Sequence, residues 1–346
     1  MKPLPTALPN VLPFNGVDPK IAEHLVCAPG ASVLGQAEIG PRAELAPFSV
    51  IRADGDVVRV GADFSFGERA TIHIMGGMYP TLIADGVTVG RNAVVHACTL
   101  GSRCVVGDDA IVLDGSVVED DVLVESGAVV FVRSKLERGF VYAGVPAKPV
   151  RPLLPGELDE RARALREDTA GAIAAARPVA PADGGRWPSA FVASTAVLSG
   201  NISLSSSASI FFSCVLDGAN HGIEIGRNTN IQDNTVIRAS RALCAIGADT
   251  SFGHNVRAED CRVGNGCLIG IGAVLGRGTS VQDDVFLAAG AITNPDQVLE
   301  SGWLWGGRPA RALAKLDDNK RSVIQMTAAA YAQYAFTFKK AQEASA

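Results

Sequence analysis

Aromatic side chains are scarce in this 346-residue chain, at 6%, and so is net charge, at −5 with no basic block. The first shortage argues against a core built around large rings. The second argues against nucleic acid or an anionic membrane surface as a partner. No apolar run approaches the roughly 20 residues that a bilayer span requires. The opening MKPLPTALPNVLPF has the pattern of neither a signal peptide nor an Arg-rich transit peptide, so a cytoplasmic protein is expected. The seven cysteines, at 27, 98, 104, 214, 244, 261 and 267, are odd in number and contain no CxxC pair. That argues against a disulfide framework or a zinc knuckle, and they read as small core residues rather than ligands or nucleophiles. What is abundant is glycine, 37 residues in a 47% apolar chain. This composition implies many short strands and tight turns filled by Val, Ile, Leu and Ala. The length suits two domains, each with its own core.

A period of six organises the apolar positions. Leu100, Val106, Val112, Val118, Val124 and Val130 form one series, and Val263, Ile269, Leu275, Val281, Leu287 and Thr293 repeat it at an offset of 163. Neither a helix nor an ordinary strand has that period. Short fixed-period repeats imply stacked coils, because each needs the coils above and below to cover its apolar residue. Six residues make one flat side, and three sides close a triangular coil.

A helical pattern follows each series. Leu158, Ala162, Leu165 and Ile173 mark one apolar stripe, and Val323, Thr327, Tyr331, Tyr334 and Phe338 mark another. Each helix is expected to pack along its own prism. RPVAPADGGRWP (177–188) reads as a linker. The expected domains are 1–183, with a helix over 156–176, and 184–346, with a helix over 317–343.

In the first half, VIRAD (50–54), ATIHIM (70–75), PTLIADGVTVGRNAVVHAC (80–98) and GVPAK (144–148) together resemble the γ-class carbonic anhydrases. NTNIQDNTVIR (228–238), SFGHN (251–255) and GGRPAR (306–311) resemble the same family in the second half. The six-residue period likewise resembles the hexapeptide repeats of left-handed parallel β-helices, over about 30–150 and 190–312. The resemblance implies an all-β chain of two tandem left-handed β-helices, each followed by a C-terminal α-helix. It also implies a trimer of prisms with a metal at each interface: two histidines from one prism, a third from the next, and a water or hydroxide in the open position. His73 and His96 are 23 residues apart, about one coil plus a short loop, so they can stack on one face.

Aligning the halves at offsets of 165 before the loop at 74–86 and 163 after it divides the family's residues between them. Arg52, Asp54, His73 and His96 face Asp217, Ala219, Arg238 and Glu259 in the second half. Asn230, Gln232, Asp233 and His254 face Ser65, Gly67, Glu68 and Arg91 in the first. Neither half holds a full set. The resemblance implies a composite three-histidine metal site of His73, His96 and His254, with Arg52 and Asp54 bracing the interface and Gln232 and Asn230 orienting the hydroxide. Arg91 is expected either to pair with Glu259 and Arg238 at the reverse interface or to point into solvent. His24 and His221 match no ligand position.

The activity implied is hydration of CO2 to bicarbonate by metal-bound hydroxide, with zinc as the cation and iron or cobalt as alternatives. Gly55 follows Asp54 where well-known active relatives carry glutamate, so proton export lacks an evident carrier. Two other classes stay open. One is acyl transfer from a coenzyme A thioester, with His73 or His96 as general base; the other is a non-catalytic trimeric scaffold subunit. The flat faces of a β-helix favour association. A homo-oligomer of trimeric type is expected, or a heterotrimer with a single-prism homologue.

Overall fold

The structure, a computed structural model, describes residues 9–178 and 180–345. The reading of the first eight residues and the outermost limits of the two expected domains lie outside the described residues. The chain forms two compact units, Met1–Val179 and Ala180–Ala346.

In the first unit the six-residue series falls on successive two-residue strands, Thr99–Leu100, Val105–Val106 and Ile111–Val112. The next strand, Val117–Val118, returns beneath the first, pairing Leu100 with Val118 in parallel register, and Val118 pairs with Leu136. Three strands therefore close one coil, and the chain is a left-handed parallel β-helix. Every member of the series is buried. Enclosing each valine contributes roughly 1.5–3 kcal/mol. Two sides of the prism are joined into one 12-stranded sheet by the long strand Val50–Val60, which pairs with Thr71–His73 at its start and with Thr81–Ile83 at its end.

The second unit repeats the design with three separate sheets of eight, five and six strands. Its series is likewise buried, Val263 to Thr293. Coil spacing demands glycine at certain corners. A Cβ on Gly253 would lie 2.7 Å from the Ile271 nitrogen of the next coil. All seven cysteines are buried and outside any disulfide, as small core residues would be. Burial pushes the Cys27, Cys104 and Cys267 thiols up to about 12. Residues 182–187 pack with the second unit: the Ala182 N–H donates to Ser194 O at 2.9 Å, and Trp187 lies against the core.

Each prism is followed by a helix, α1 (Glu157–Ala175) and α2 (Asp318–Ser345). Leu158, Ala162 and Leu165 of α1 cover Val105, Leu123 and Val141, and Ile173 covers Ala28 and Ala46. In α2 the buried face is Ile324, Ala328, Tyr331, Ala335 and Phe338. Val323 is exposed and Thr327 only half-buried, so the stripe expected from sequence is one residue out of phase at its start. Both stripes have helical spacing. The difference is decided by Ile324, which fits against Leu268, Leu316, Phe286 and Leu304.

Candidate metal centre

The first unit builds a two-imidazole half-site. Strands Thr71–His73 and Val94–His96 are adjacent and parallel, with His73 and His96 in register, so both rings leave the same side of the prism. The register survives the 23-residue spacing because the turn Met75–Tyr79 is extruded between the coils. Both side chains are buried, and their ring centroids are 5.1 Å apart. His73 Nδ1 lies 3.1 Å from His96 Nε2. Two nitrogens about 2.0–2.1 Å from one tetrahedral cation would be about 3.3 Å apart, so this pair has the spacing of two ligands to one ion.

The far nitrogen of each ring is held by a carboxylate. His73 Nε2 is 2.7 Å from Asp54 Oδ1, and Asp54 Oδ2 accepts from Arg52 Nη1. His96 Nδ1 contacts Asp114 Oδ1. The Thr81 hydroxyl donates to the His73 carbonyl at 2.5 Å. A carboxylate on the far nitrogen fixes tautomer and ring rotation and raises the basicity of the near nitrogen, as in metal sites generally. Arg52, Asp54, His73, His96 and Asp114 thus form one chain of contacts whose donor chemistry fits a divalent cation.

The second unit supplies different parts. His254 sits in the turn after Ser251–Phe252, fully buried, with Nδ1 3.2 Å from Asp233 Oδ2 and Nε2 3.2 Å from the Tyr331 hydroxyl. Gln232 and Asn230 are buried and bonded to each other: Gln232 Nε2 donates to Asn230 Oδ1 at 3.1 Å, and Asn230 Nδ2 donates to Ser251 Oγ at 2.7 Å. Arg238 and Glu259 stand in the same register as His73 and His96, but Glu259 accepts from Arg277 at 2.9 Å. In the first unit Arg91 donates to Asp108 at 2.9 Å and lies 4.0 Å from Asp168 of α1, and these acids raise its pKa.

Sequence reasoning missed Asp114, although a signal existed: it lies 18 residues after His96, one coil further along the same side. It also missed Arg277 as the partner of Glu259, again one coil on. Tyr331 was visible only as a member of an apolar stripe. Nothing local tied it to His254, 77 residues away. A cleft of about 510 Å³ between α1 and its prism, lined in part by Glu44, Arg103, Leu158 and Arg166, contains none of the histidines.

These features define a hexapeptide-repeat β-helix protein carrying an imidazole–carboxylate half-site. No family model matches the chain. It is 34% identical over 153 residues to gamma carbonic anhydrase 1, mitochondrial, of Arabidopsis thaliana, covering 42% of this chain and 56% of that protein. It is 35% identical over 138 residues to the Methanocaldococcus jannaschii protein named "Probable carbonic anhydrase", covering 40% of this chain and 86% of that one. A solved structure of a proposed acetyltransferase from Desulfovibrio desulfuricans G20 aligns at 14% identity with a TM-score of 0.52, over 84% of this chain and 69% of that chain. At that identity the likeness concerns the fold alone. The chain belongs to the γ-class carbonic-anhydrase-like family of left-handed β-helix proteins. It spans little more than half the length of the Arabidopsis relative.

Proposed function

We propose that the protein is a metal-dependent γ-type carbonic anhydrase that hydrates CO2 to bicarbonate, with one cation held by His73 and His96 of the first unit and His254 of the second. The division of the ligands carries this reading. The first unit has the paired imidazoles and Arg91 at the third position; the second has His254 there, with Arg238 and Glu259 at the other two. Zinc is the expected cation, with iron or cobalt suited to the same nitrogen set. When bound, such a cation supplies a water acidic enough to lose its proton near neutral pH.

The chain's own residues do the rest. Asp54, secured by Arg52, and Asp114 hold the two rings so that His73 Nδ1 and His96 Nε2 converge. Gln232 has one N–H committed to Asn230 and keeps a second N–H and a carbonyl oxygen with which to orient the attacking oxygen toward CO2. Gly55 and the segment IMGGMYP after His73 carry no carboxylate or imidazole, so no proton carrier is evident there and slow hydration would be expected.

Coenzyme A-dependent acyl transfer has only a likeness of fold behind it. For the assembly we favour a homo-oligomer of trimeric type, with a heterotrimer containing a single-prism homologue as the alternative. Seven unbridged thiols are in keeping with a reducing compartment, the cytoplasm. Metal analysis of anaerobically purified protein, wild type beside His254→Ala, tests the site. The expected outcome is bound metal in the wild type and its loss in the variant. Equal metal in both would remove the second unit from the site, and metal-free wild type would leave the scaffold role.

A further inference from the structure

The two copies differ at one core position where threonine and cysteine serve the backbone alike. In the first unit Leu82 pairs with Thr99 and Ile83 with Leu100, so Thr81 stands opposite Cys98 of the next coil. In the second unit Ala245 pairs with Arg262 and Ile246 with Val263, so Cys244 stands opposite Cys261 in the same way. Thr81 and Cys244 also make the same bond. The Thr81 hydroxyl donates to the His73 carbonyl at 2.5 Å, and the Cys244 thiol in its neutral form donates to the Arg238 carbonyl at 3.1 Å. Threonine therefore suffices for the local structure, and cysteine in its place sets two thiols on adjacent coils. Both are buried in the core of the second unit. Neighbouring strands lie about 4.7–4.9 Å apart, inside the roughly 4.4–6.8 Å between Cα atoms that a disulfide spans.

We propose that Cys244 and Cys261 form a redox-modification site, closed to a disulfide by hydrogen peroxide and reopened by a dithiol. The Cys244 sulfur attacks one peroxide oxygen and the O–O bond breaks, giving a sulfenic acid and one water; the Cys261 sulfur then displaces the sulfenyl oxygen as a second water and the S–S bond forms. Two thiols lose two electrons and one peroxide gains them. Cys244 is suited to the first step, because the hydrogen bond from Cys261 draws its thiol below the ordinary range, whereas burial pushes the Cys27, Cys104 and Cys267 thiols up. It also follows the exposed corner 240–242 by two residues. That corner is held by the Arg241 and Ala242 N–H groups, which donate to Asp260 Oδ1 at 2.9 and 3.2 Å, so its local opening admits an oxidant little larger than water. A disulfide of this kind in a reducing compartment is transient and senses redox state. Neither thiol belongs to the metal site, so the inference stands apart from that reading.

The test treats native full-length protein with hydrogen peroxide, alkylates the remaining thiols and reads tryptic peptides by mass spectrometry. Trypsin places the two cysteines in different peptides, 242–257 and 258–262, so the bridge appears as a cross-linked pair. The expected result is that pair in wild type, with two thiols lost per chain and restored by dithiothreitol, and its absence in Cys244→Thr, which carries the first unit's residue. Cys98, opposite Thr81, should stay reduced in the same sample. Peroxide that leaves Cys244 and Cys261 as thiols in native protein, while oxidising them in urea-unfolded protein, would overturn the proposal. So would bridges among other cysteines to the same extent, or sulfinic acid at Cys244 without a bridge. The comparison of native with unfolded wild type decides the matter without the variant.

Discussion

Asp114 holds the far nitrogen of an imidazole that would be a ligand in the proposed metal site, without itself reaching the metal. His96 would be free to rotate about its side-chain bonds without a partner on Nδ1, and rotation by a few tens of degrees would carry Nε2 away from His73 Nδ1. Removing the charge while keeping the shape should therefore weaken the site without dismantling it. Asp114→Asn is expected to bind Zn2+ about 10–100-fold less tightly than wild type, read by competition with a chromophoric chelator. Unchanged affinity would show that the register of the two strands is sufficient to aim the ring. Asp54 serves His73 in the same way, with Arg52 as a further anchor.

At the scale of elements, α1 begins on an unusual arrangement. Its N-cap, Gly156, has no side chain to offer, and Glu157 takes over by accepting two bonds from Arg151 at 2.6 and 2.7 Å and the Leu154 N–H at 2.9 Å. The Arg151 guanidinium, followed by the Leu154 N–H, holds the Glu157 carboxyl at about 2, below its ordinary 4.5. A depressed folded-state pKa means the ionised form is favoured by folding. Its stabilising contribution is complete above pH 4.5 and is lost as pH falls toward 2. The thermal midpoint of the first unit should decline through that window in wild type and decline less in Glu157→Gln; parallel declines would refute the assignment. The contrast between the helices is also instructive. The α1 stripe was readable because Leu158, Ala162, Leu165 and Ile173 have few apolar competitors nearby. In α2, Val323 beside Ile324 and Thr327 beside Ala328 made two phases equally good until the prism surface chose one.

At the scale of the whole molecule, the duplication implies a stoichiometry. If each unit kept its own ligands, a chain would carry two cations; with the ligands divided as Arg91/His254, His73/Arg238 and His96/Glu259, it should carry one. Native mass spectrometry of zinc-loaded protein is expected to show one cation per chain and no change in Arg91→Ala, since Arg91 is committed to Asp108. Two cations per chain would mean that unit 2 binds metal through residues other than these. The six-residue period, the duplication and the pairing of His73 with His96 were all legible in the amino-acid order, because in a solenoid residues one coil apart are stacked by the chain's own path. Asp114 belongs to the same class and could have been found by counting. Tyr331 against His254 and the phase of α2 depend on which surfaces meet when a helix folds back over a prism. That outcome is set by side-chain shape across a seam and leaves no period to count.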